Sequence, residues 1–228
     1  MIDIPRAFTY SFDDPQWTSK LVVTAIVTLV SALLTPLLIG LVGIAALMGY
    51  QIELIRNIRS GDPTPLPAWD DFSRLIGLGG NVLIALIVYN LPNVLIVLLM
   101  IVVGLGAGEG TLAEGLIGLL MCCFVPILIV YNLAIQPIFT LGMGRYSHDP
   151  RLNVFFEFGS LFAAVRDRTD LLIQWVLGMI VVGFVLGLAN GIPCLGTIVS
   201  LALTVPIYGH LNGQYAAAVF DKSKRKNG

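Results

Sequence analysis

Residues 171–220 read LLIQWVLGMIVVGFVLGLANGIPCLGTIVSLALTVPIYGHLNGQYAAAVF, a run of 50 residues without Asp, Glu, Lys or Arg. One membrane-spanning helix needs about 20 predominantly apolar residues. The run is therefore long enough to cross a bilayer twice. We predict the turn between the two crossings at residues 190–193, Asn-Gly-Ile-Pro, because Gly and Pro end one helix and open the next.

Three further charge-free runs precede this one, at residues 21–52, 75–108 and 115–144. The first contains Thr35-Pro36 near its middle, so we interpret it as two short crossings; a single long tilted helix is the alternative. The chain is then one transmembrane domain over residues 1–228, with the fold of an all-α, polytopic membrane protein. Its six helices are predicted at roughly 18–35, 37–58, 75–104, 115–145, 170–190 and 194–220.

The composition excludes several classes of protein. Of the 228 residues, 57% are apolar and 12% are charged, whereas a soluble domain carries about 25% charged residues. This balance excludes a soluble globular enzyme and a disordered chain. The net charge of −1 argues against a nucleic-acid partner, which would require a basic surface. The partner that the composition indicates is the lipid bilayer.

The distribution of basic residues favours six crossings. With the helices above, the turns near Pro36 and Gly191 and residues 105–114 contain no Lys or Arg, so all 13 basic residues fall on the other side. Lys and Arg are enriched in cytoplasmic loops. We therefore predict a protein of the cell membrane with both termini cytoplasmic and residues 221–228 as a basic tail. Five crossings would place Arg6 and Lys20 outside the cell and lose this agreement.

The sequence pattern repeats three times and predicts three helical hairpins, at about 8–60, 69–147 and 152–220. Each unit opens with a cytoplasmic interfacial segment of aromatic and acidic residues, such as Trp69-Asp70-Asp71-Phe72. The second helix of each hairpin closes with a small residue and a tyrosine. Tyr and Trp are enriched where membrane and water meet. We therefore predict five interfacial anchors: Trp17, Tyr50, Trp69, Tyr146 and Tyr215.

Two of the cytoplasmic segments are amphipathic. In residues 69–76 and 152–168, aromatic and aliphatic side chains share one helical face, opposite the charged ones. This pattern is typical of a helix that lies in the headgroup plane. We interpret both segments as lead-ins to the next crossing; sensing of lipid or of membrane curvature is the alternative.

The loop between the first two hairpins carries a motif of a known family. It follows Gly49-Tyr50, Arg56 and Arg59, and reads Gly61-Asp62-x-x-Pro65-Leu66-Pro67-x-Trp69-Asp70-Asp71. These residues resemble the signature of domain of unknown function 4013, a family of prokaryotic multi-pass membrane proteins. The resemblance extends over most of the chain. It implies an integral membrane protein of a bacterium or archaeon, and it implies no activity.

The predicted crossings offer little chemistry. No charged residue lies deep in any of them, which argues against ion-coupled transport. The two histidines have no Cys, Asp or Glu cluster beside them, so we predict no metal site, no cofactor and no catalytic residue. The side chains of the remaining polar residues either bond between helices, which we favour, or line a path for a small solute. This candidate polar intramembrane cluster comprises Asn90, Asn93, Asn132, Gln136, His210 and Asn212.

Two helices carry small residues at four-residue spacing, a pattern that lets another backbone approach closely. This helix-packing or oligomer stripe comprises Gly183, Gly187, Gly191, Gly209 and Gly213. Its two halves lie at different depths of one hairpin, so each is expected to meet another helix, of this chain or of a second copy. We therefore expect a non-catalytic protein that acts through assembly, as a homo-oligomeric scaffold or as an accessory subunit with partner membrane subunits. A passive channel or facilitator for a small solute is the alternative.

Overall fold

The computed structural model describes residues 1–107, 111–192 and 195–224, and within these ranges the regular elements are helices. Residues 108–110, Pro193 of the predicted last turn and the predicted tail from residue 225 onward lie outside them. Three short 3₁₀ helices cover Tyr10–Asp13, Thr35–Leu37 and Leu152–Phe156. The α-helices are α1 (Ile4–Thr9), α2 (Trp17–Leu34), α3 (Gly40–Ser60), α4 (Phe72–Ala107), α5 (Thr111–Tyr146), α6 (Phe158–Asp167), α7 (Thr169–Asn190) and α8 (Leu195–Lys224).

Five helical segments in the described part of the chain are long and apolar enough to cross a membrane. They are Trp17–Leu37, Gly40–Ser60, Phe72–Gly106, Glu114–Tyr146 and Thr169–Asn190. The class of the fold, a helical protein with several candidate membrane spans, is therefore confirmed. The sixth predicted crossing corresponds to α8, which is long enough but is not among these five.

α8 is less apolar than α4, α5 and α7, and its position gives a physical reason. This helix contacts α2, α3, α5 and α7, so other helices cover much of its surface. His210 and Asn212 are buried on it, and Gln214 is half-buried. A helix enclosed by protein can keep polar side chains that find partners there, whereas a helix that faces lipid must be apolar.

The central contact of the fold is a close approach of two helix backbones. α3 and α4 form the most extensive helix pair, and glycines make this possible. A Cβ atom added to Gly79 would lie 1.7 Å from the carbonyl oxygen of Ala45, and one added to Gly49 would lie 1.9 Å from that of Leu75. Helices can cross this closely only where side chains are absent at the contact.

The predicted tyrosine anchors require a correction. Tyr50, Tyr146 and Tyr215 are 0–1% exposed and belong to the core, so they do not face the boundary between lipid and water. Each lies close to a glycine at which helices pack tightly, and the neighbouring helix then covers the ring. Trp69 stacks on Tyr50 with a centroid separation of 4.6 Å. Of the five predicted anchors, Trp17 and Trp69 keep partial exposure.

The two predicted amphipathic segments have different structures. Residues 69–71 precede α4, which begins at Phe72 and runs on without a break, so a separate interfacial helix is not formed there. Residues 152–168 form the last 3₁₀ helix and α6. The aromatic side chains of residues 152–168 do not share one face as predicted, since Phe155 is buried whereas Phe158 and Phe162 are exposed.

Candidate functional site

Three asparagines of the predicted polar cluster meet between α4 and α5. Asn93 Nδ2 donates to Asn132 Oδ1 at 3.2 Å, and Asn132 Nδ2 donates back to Asn93 Oδ1 at 2.9 Å. Asn93 Nδ2 also donates to Asn90 Oδ1 at 3.0 Å. The two primary amides thus form a reciprocal pair that joins the helices, which is the arrangement that satisfies both a donor and an acceptor on each side chain.

The local sequence explains why these amides converge. The triplet Tyr-Asn-Leu occurs at residues 89–91 and again at 131–133, and the antiparallel hairpin brings the two copies together. The hydroxyl of Tyr131 donates to the carbonyl oxygen of Tyr89 at 2.6 Å. Pro92 lies inside α4 and removes one backbone donor from it, so polar side chains are needed in this part of the helix.

A groove with a volume of about 550 Å³ lies beside this amide pair, between α5 and α7. Its walls are largely aliphatic, and its polar atoms come from Asn93, Asn132 and Gln136. The Gln136 side chain is exposed and takes part in no hydrogen bond among the described residues. The remaining lining residues are Val125, Leu128, Ile129, Leu133, Trp175, Val176, Met179 and Ile180.

The other two residues of the predicted cluster have separate partners. Asn212 Oδ1 accepts a hydrogen bond from Trp175 Nε1 at 3.0 Å. His210 stacks on Tyr10 with a centroid separation of 4.1 Å, and its Nδ1 lies 2.8 Å from Gln214 Nε2. The prediction of one six-residue cluster is therefore corrected to an asparagine pair with Asn90 and a nearby glutamine, and two buried residues that bond elsewhere. Helical spacing alone does not show which neighbouring helix each residue faces.

The predicted glycine stripe is also divided. Gly209 and Gly213 face α3 of the same chain, because an added Cβ on either would lie 2.7 Å from a side-chain atom of Leu54 or Ile58. On α7, a Cβ added to Gly183 would touch the hydroxyl of Tyr208, and one added to Gly187 would have open space around it. At Gly191 the nearest atom belongs to its own helix, the carbonyl oxygen of Leu188. The α8 half of the stripe is thus used inside the chain.

The docked N-terminus is a feature that we did not predict from the sequence. The backbone N–H of Ile2 donates to Gln174 Oε1 at 3.0 Å, and Gln214 Nε2 donates to the carbonyl oxygen of Asp3 at 2.9 Å. The same segment buries Tyr10, and this burial raises the pKa of Tyr10 well above its usual value. The available sequence signal is a pair of glutamines, Gln174 in the apolar α7 and Gln214 among the polar residues of α8.

Around the groove, the described side chains offer hydrogen bonds and apolar contacts. Three or more His, Cys, Asp or Glu side chains that could hold a metal ion do not come together in the described part of the chain. Cys122 and Cys123 are exposed free thiols on α5. The polar groups near the groove are neutral amides, which recognise other hydrogen-bonding groups and carry no charge.

Comparison of the chain with curated proteins and with solved structures finds no match. A family model does match: Protein of unknown function (DUF4013) covers residues 29–195. These residues contain the proline-rich loop motif at 61–71, the paired Tyr-Asn-Leu triplets and all of α7. Because the match covers well over half of the chain, the protein belongs to the DUF4013 family.

Proposed function

We propose that this protein is a non-catalytic integral membrane protein of the cell membrane that acts through assembly. It serves as a homo-oligomeric scaffold or as an accessory subunit of a membrane complex. The observation that carries the proposal is the groove between α5 and α7, with the unbonded amide of Gln136 in its wall.

The burial of the helices supports a partner at this groove. In the most apolar 18-residue windows of α4 and α5, 6% and 0% of the residues are buried, against 44% for α3. Lipid tails cover aliphatic faces as well as protein does, but they have no group that can form a hydrogen bond with an amide. A helix from a second copy can fill the groove and also supply a hydrogen-bonding group to Gln136.

The topology that we propose has six crossings, with α8 as the sixth. The contacts of consecutive helices support three hairpins, since α2 contacts α3, α4 contacts α5 and α7 contacts α8. Each hairpin would be preceded by an aromatic–acidic segment on the cytoplasmic side. Six crossings keep all 13 Lys and Arg residues on one side of the membrane. Both termini would then be cytoplasmic, because Lys and Arg are enriched on the cytoplasmic side.

A passive channel or facilitator is the second candidate, because the three amides of the groove are the polar groups that a small solute would meet. The reciprocal bonds of Asn93 and Asn132 favour assembly instead, since these amides are already engaged between helices. Flux of a small neutral solute, such as glycerol, into protein-containing liposomes separates the two functions. If the protein acts through assembly, the flux should equal that of protein-free liposomes. If it is a channel, the flux should be faster than in protein-free liposomes.

Crosslinking in membranes tests the proposed groove contact. In a variant without the native cysteines, a cysteine in place of Ile180 in the groove should form a disulfide with a second copy. A cysteine in place of Leu33, which is similarly exposed on α2 and lies outside the groove, is the matched control. Equal crosslinking of both, or of neither, would contradict homo-oligomeric assembly through the groove. Gln136→Leu should weaken the crosslink at Ile180 without lowering the amount of protein in the membrane.

A further inference from the structure

A second cavity, with a volume of about 430 Å³, lies at the C-terminal end of α5. It forms where the last residues of α5 and α8 meet α6 and the start of α7. Two arginines, one at the end of α5 and one between α6 and α7, lie on its rim. Its lining residues are Arg145, Ser160, Ala163, Ala164, Asp167, Arg168, Val219 and Phe220.

The guanidinium group of Arg145 is held in place at this cavity. Its Nη1 donates to Glu157 Oε2 at 2.8 Å and to Ser160 Oγ at 2.6 Å. The same group lies over the ring of Phe220, 5.4 Å from the ring centroid, and Arg59 lies 5.5 Å from that centroid. The described contacts of Arg145 use only Nη1, so Nε and Nη2 keep their donors for a ligand.

The second arginine, Arg168, makes weaker contacts with the rest of the protein. Arg168 Nη1 lies 3.4 Å from the carbonyl oxygen of Ala218, and its Nε lies 3.6 Å from Asp170 Oδ1. Both contacts are long, and about a third of the side chain is exposed. Asp167 is the acidic residue of the lining, and its nearest basic partner is Arg166 at 3.9 Å. The lining itself thus has two arginines and one acid, while Glu157 and Asp170, outside the lining, contact Arg145 and Arg168.

The sequence that follows Phe220 is basic. In the sequence, Lys222, Lys224, Arg225 and Lys226 come within six positions of Phe220, against one acid, Asp221. Basic residues grouped next to a membrane-spanning helix attract anionic lipid headgroups. Arginine is also the side chain best suited to phosphate oxygens, because its planar fork can donate two parallel hydrogen bonds.

The faces of α6 indicate that the ligand comes from the membrane. Leu161 and Val165 face the protein core, and Ala163 and Ala164 line the cavity. Phe158 and Phe162, on a further face, are 45% and 56% exposed. Aromatic side chains on an interfacial helix enter the boundary between headgroups and acyl chains. A lipid phosphate in the cavity would then have its acyl chains beside these two rings.

We propose that this cavity binds the phosphate headgroup of an anionic phospholipid. Arg145 and Arg168 donate to the phosphate oxygens, Ser160 accepts from Arg145 and holds it in place, and the two alanines leave room for the glycerol group. The proposal concerns a surface separate from the groove between α5 and α7. It therefore stands or fails independently of assembly.

The test is a binding measurement on the full chain in a neutral detergent. Phosphatidylglycerol or phosphatidylcholine is titrated, and lipid retained per chain is counted by native mass spectrometry. We expect one phosphatidylglycerol to be retained preferentially. Arg168→Gln should weaken this binding about tenfold. Ala163→Leu should weaken it as strongly, because it fills the cavity without changing the charge. Helix content by circular dichroism should stay unchanged in both variants.

The matched control is Arg166→Gln, which removes the same charge two positions away from a side chain that is 72% exposed and outside the cavity. Its binding should equal that of the wild type. Equal losses in Arg166→Gln and Arg168→Gln would show diffuse surface charge and overturn the proposal. Equal retention of the two lipids would also overturn it. Glycerol 3-phosphate is the soluble probe, and binding of it as tight as that of phosphatidylglycerol would assign the cavity to a soluble phosphate ester instead.

Discussion

Gly49 and Gly79 meet backbone to backbone where α3 crosses α4: a Cβ atom added to Gly79 would lie 2.5 Å from the backbone nitrogen of Gly49. This distance leaves no room for any side chain, and backbone atoms cannot move aside as the end of a flexible side chain can. The most extensive helix pair of the fold therefore depends on two residues that have no side chain.

Gly79→Ala should destabilise the protein, because even one methyl group forces the two helices apart. We expect a loss of about 1–3 kcal/mol in the free energy of unfolding, measured by titration with sodium dodecyl sulfate in mixed micelles. Gly77→Ala is the control on the same helix, since its added Cβ meets nothing within 4 Å. A Gly79→Ala protein as stable as Gly77→Ala would show that the helices do not cross as described.

The asparagine pair should show energetic coupling. Asn93→Leu and Asn132→Leu each remove one half of the reciprocal bond, so the double variant should cost less than the sum of the single variants. We expect a coupling energy of about 0.5–1.5 kcal/mol, from the same unfolding titration. Strictly additive losses would mean that the two amides do not bond to each other.

Leucine variants of the asparagines also distinguish the two candidate functions. If Asn90 and Asn132 serve only to bond within and between α4 and α5, Asn90→Leu and Asn132→Leu should lower stability by about 1 kcal/mol and leave solute flux into liposomes unchanged. A stable Asn90→Leu protein with a selective loss of flux would support the channel.

The proposed topology predicts the side on which introduced cysteines react. In a variant without the native cysteines, a membrane-impermeant maleimide added outside should label a cysteine in place of Gly108. It should not label one in place of Thr64, which lies in the proline-rich loop. The reverse labelling would invert the chain in the membrane and contradict the charge argument.

The glycines of α7 and α8 should respond differently to the same substitution. Gly213→Leu would clash with Ile58 of α3, so we expect a less stable chain. Gly187→Leu has open space in the single chain, so the chain should keep its stability and helix content. Its particles in detergent should become smaller if a second copy covers this face. Loss of stability in Gly187→Leu and not in Gly213→Leu would contradict this division.

The helices themselves could be predicted closely from the sequence. The absence of charge predicts where the chain is helical and apolar, and Pro36 and the last turn divide the long runs. The predicted span 115–145 corresponds to Thr111–Tyr146, and 170–190 to Thr169–Asn190. These limits depend on local composition, which a single sequence contains in full.

The direction in which each residue faces could not be predicted in the same way. Tyr50 and Tyr215 are residues of the type found at the boundary between membrane and water, but helices that approach at nearby glycines bury them. The contact of Gly49 with α4 cannot be read from the sequence either, since a glycine shows that a close approach is possible and does not show with which helix. The repeated Tyr-Asn-Leu triplet is the one sequence signal that does indicate such a pairing.

The measurement that tests the central proposal most directly is the number of copies per particle of the wild-type protein in lipid nanodiscs, determined by mass photometry at several protein-to-disc ratios. Assembly through the groove between α5 and α7 predicts two or more copies per disc even when empty discs are in large excess. A single copy in every disc under those conditions would contradict homo-oligomeric assembly.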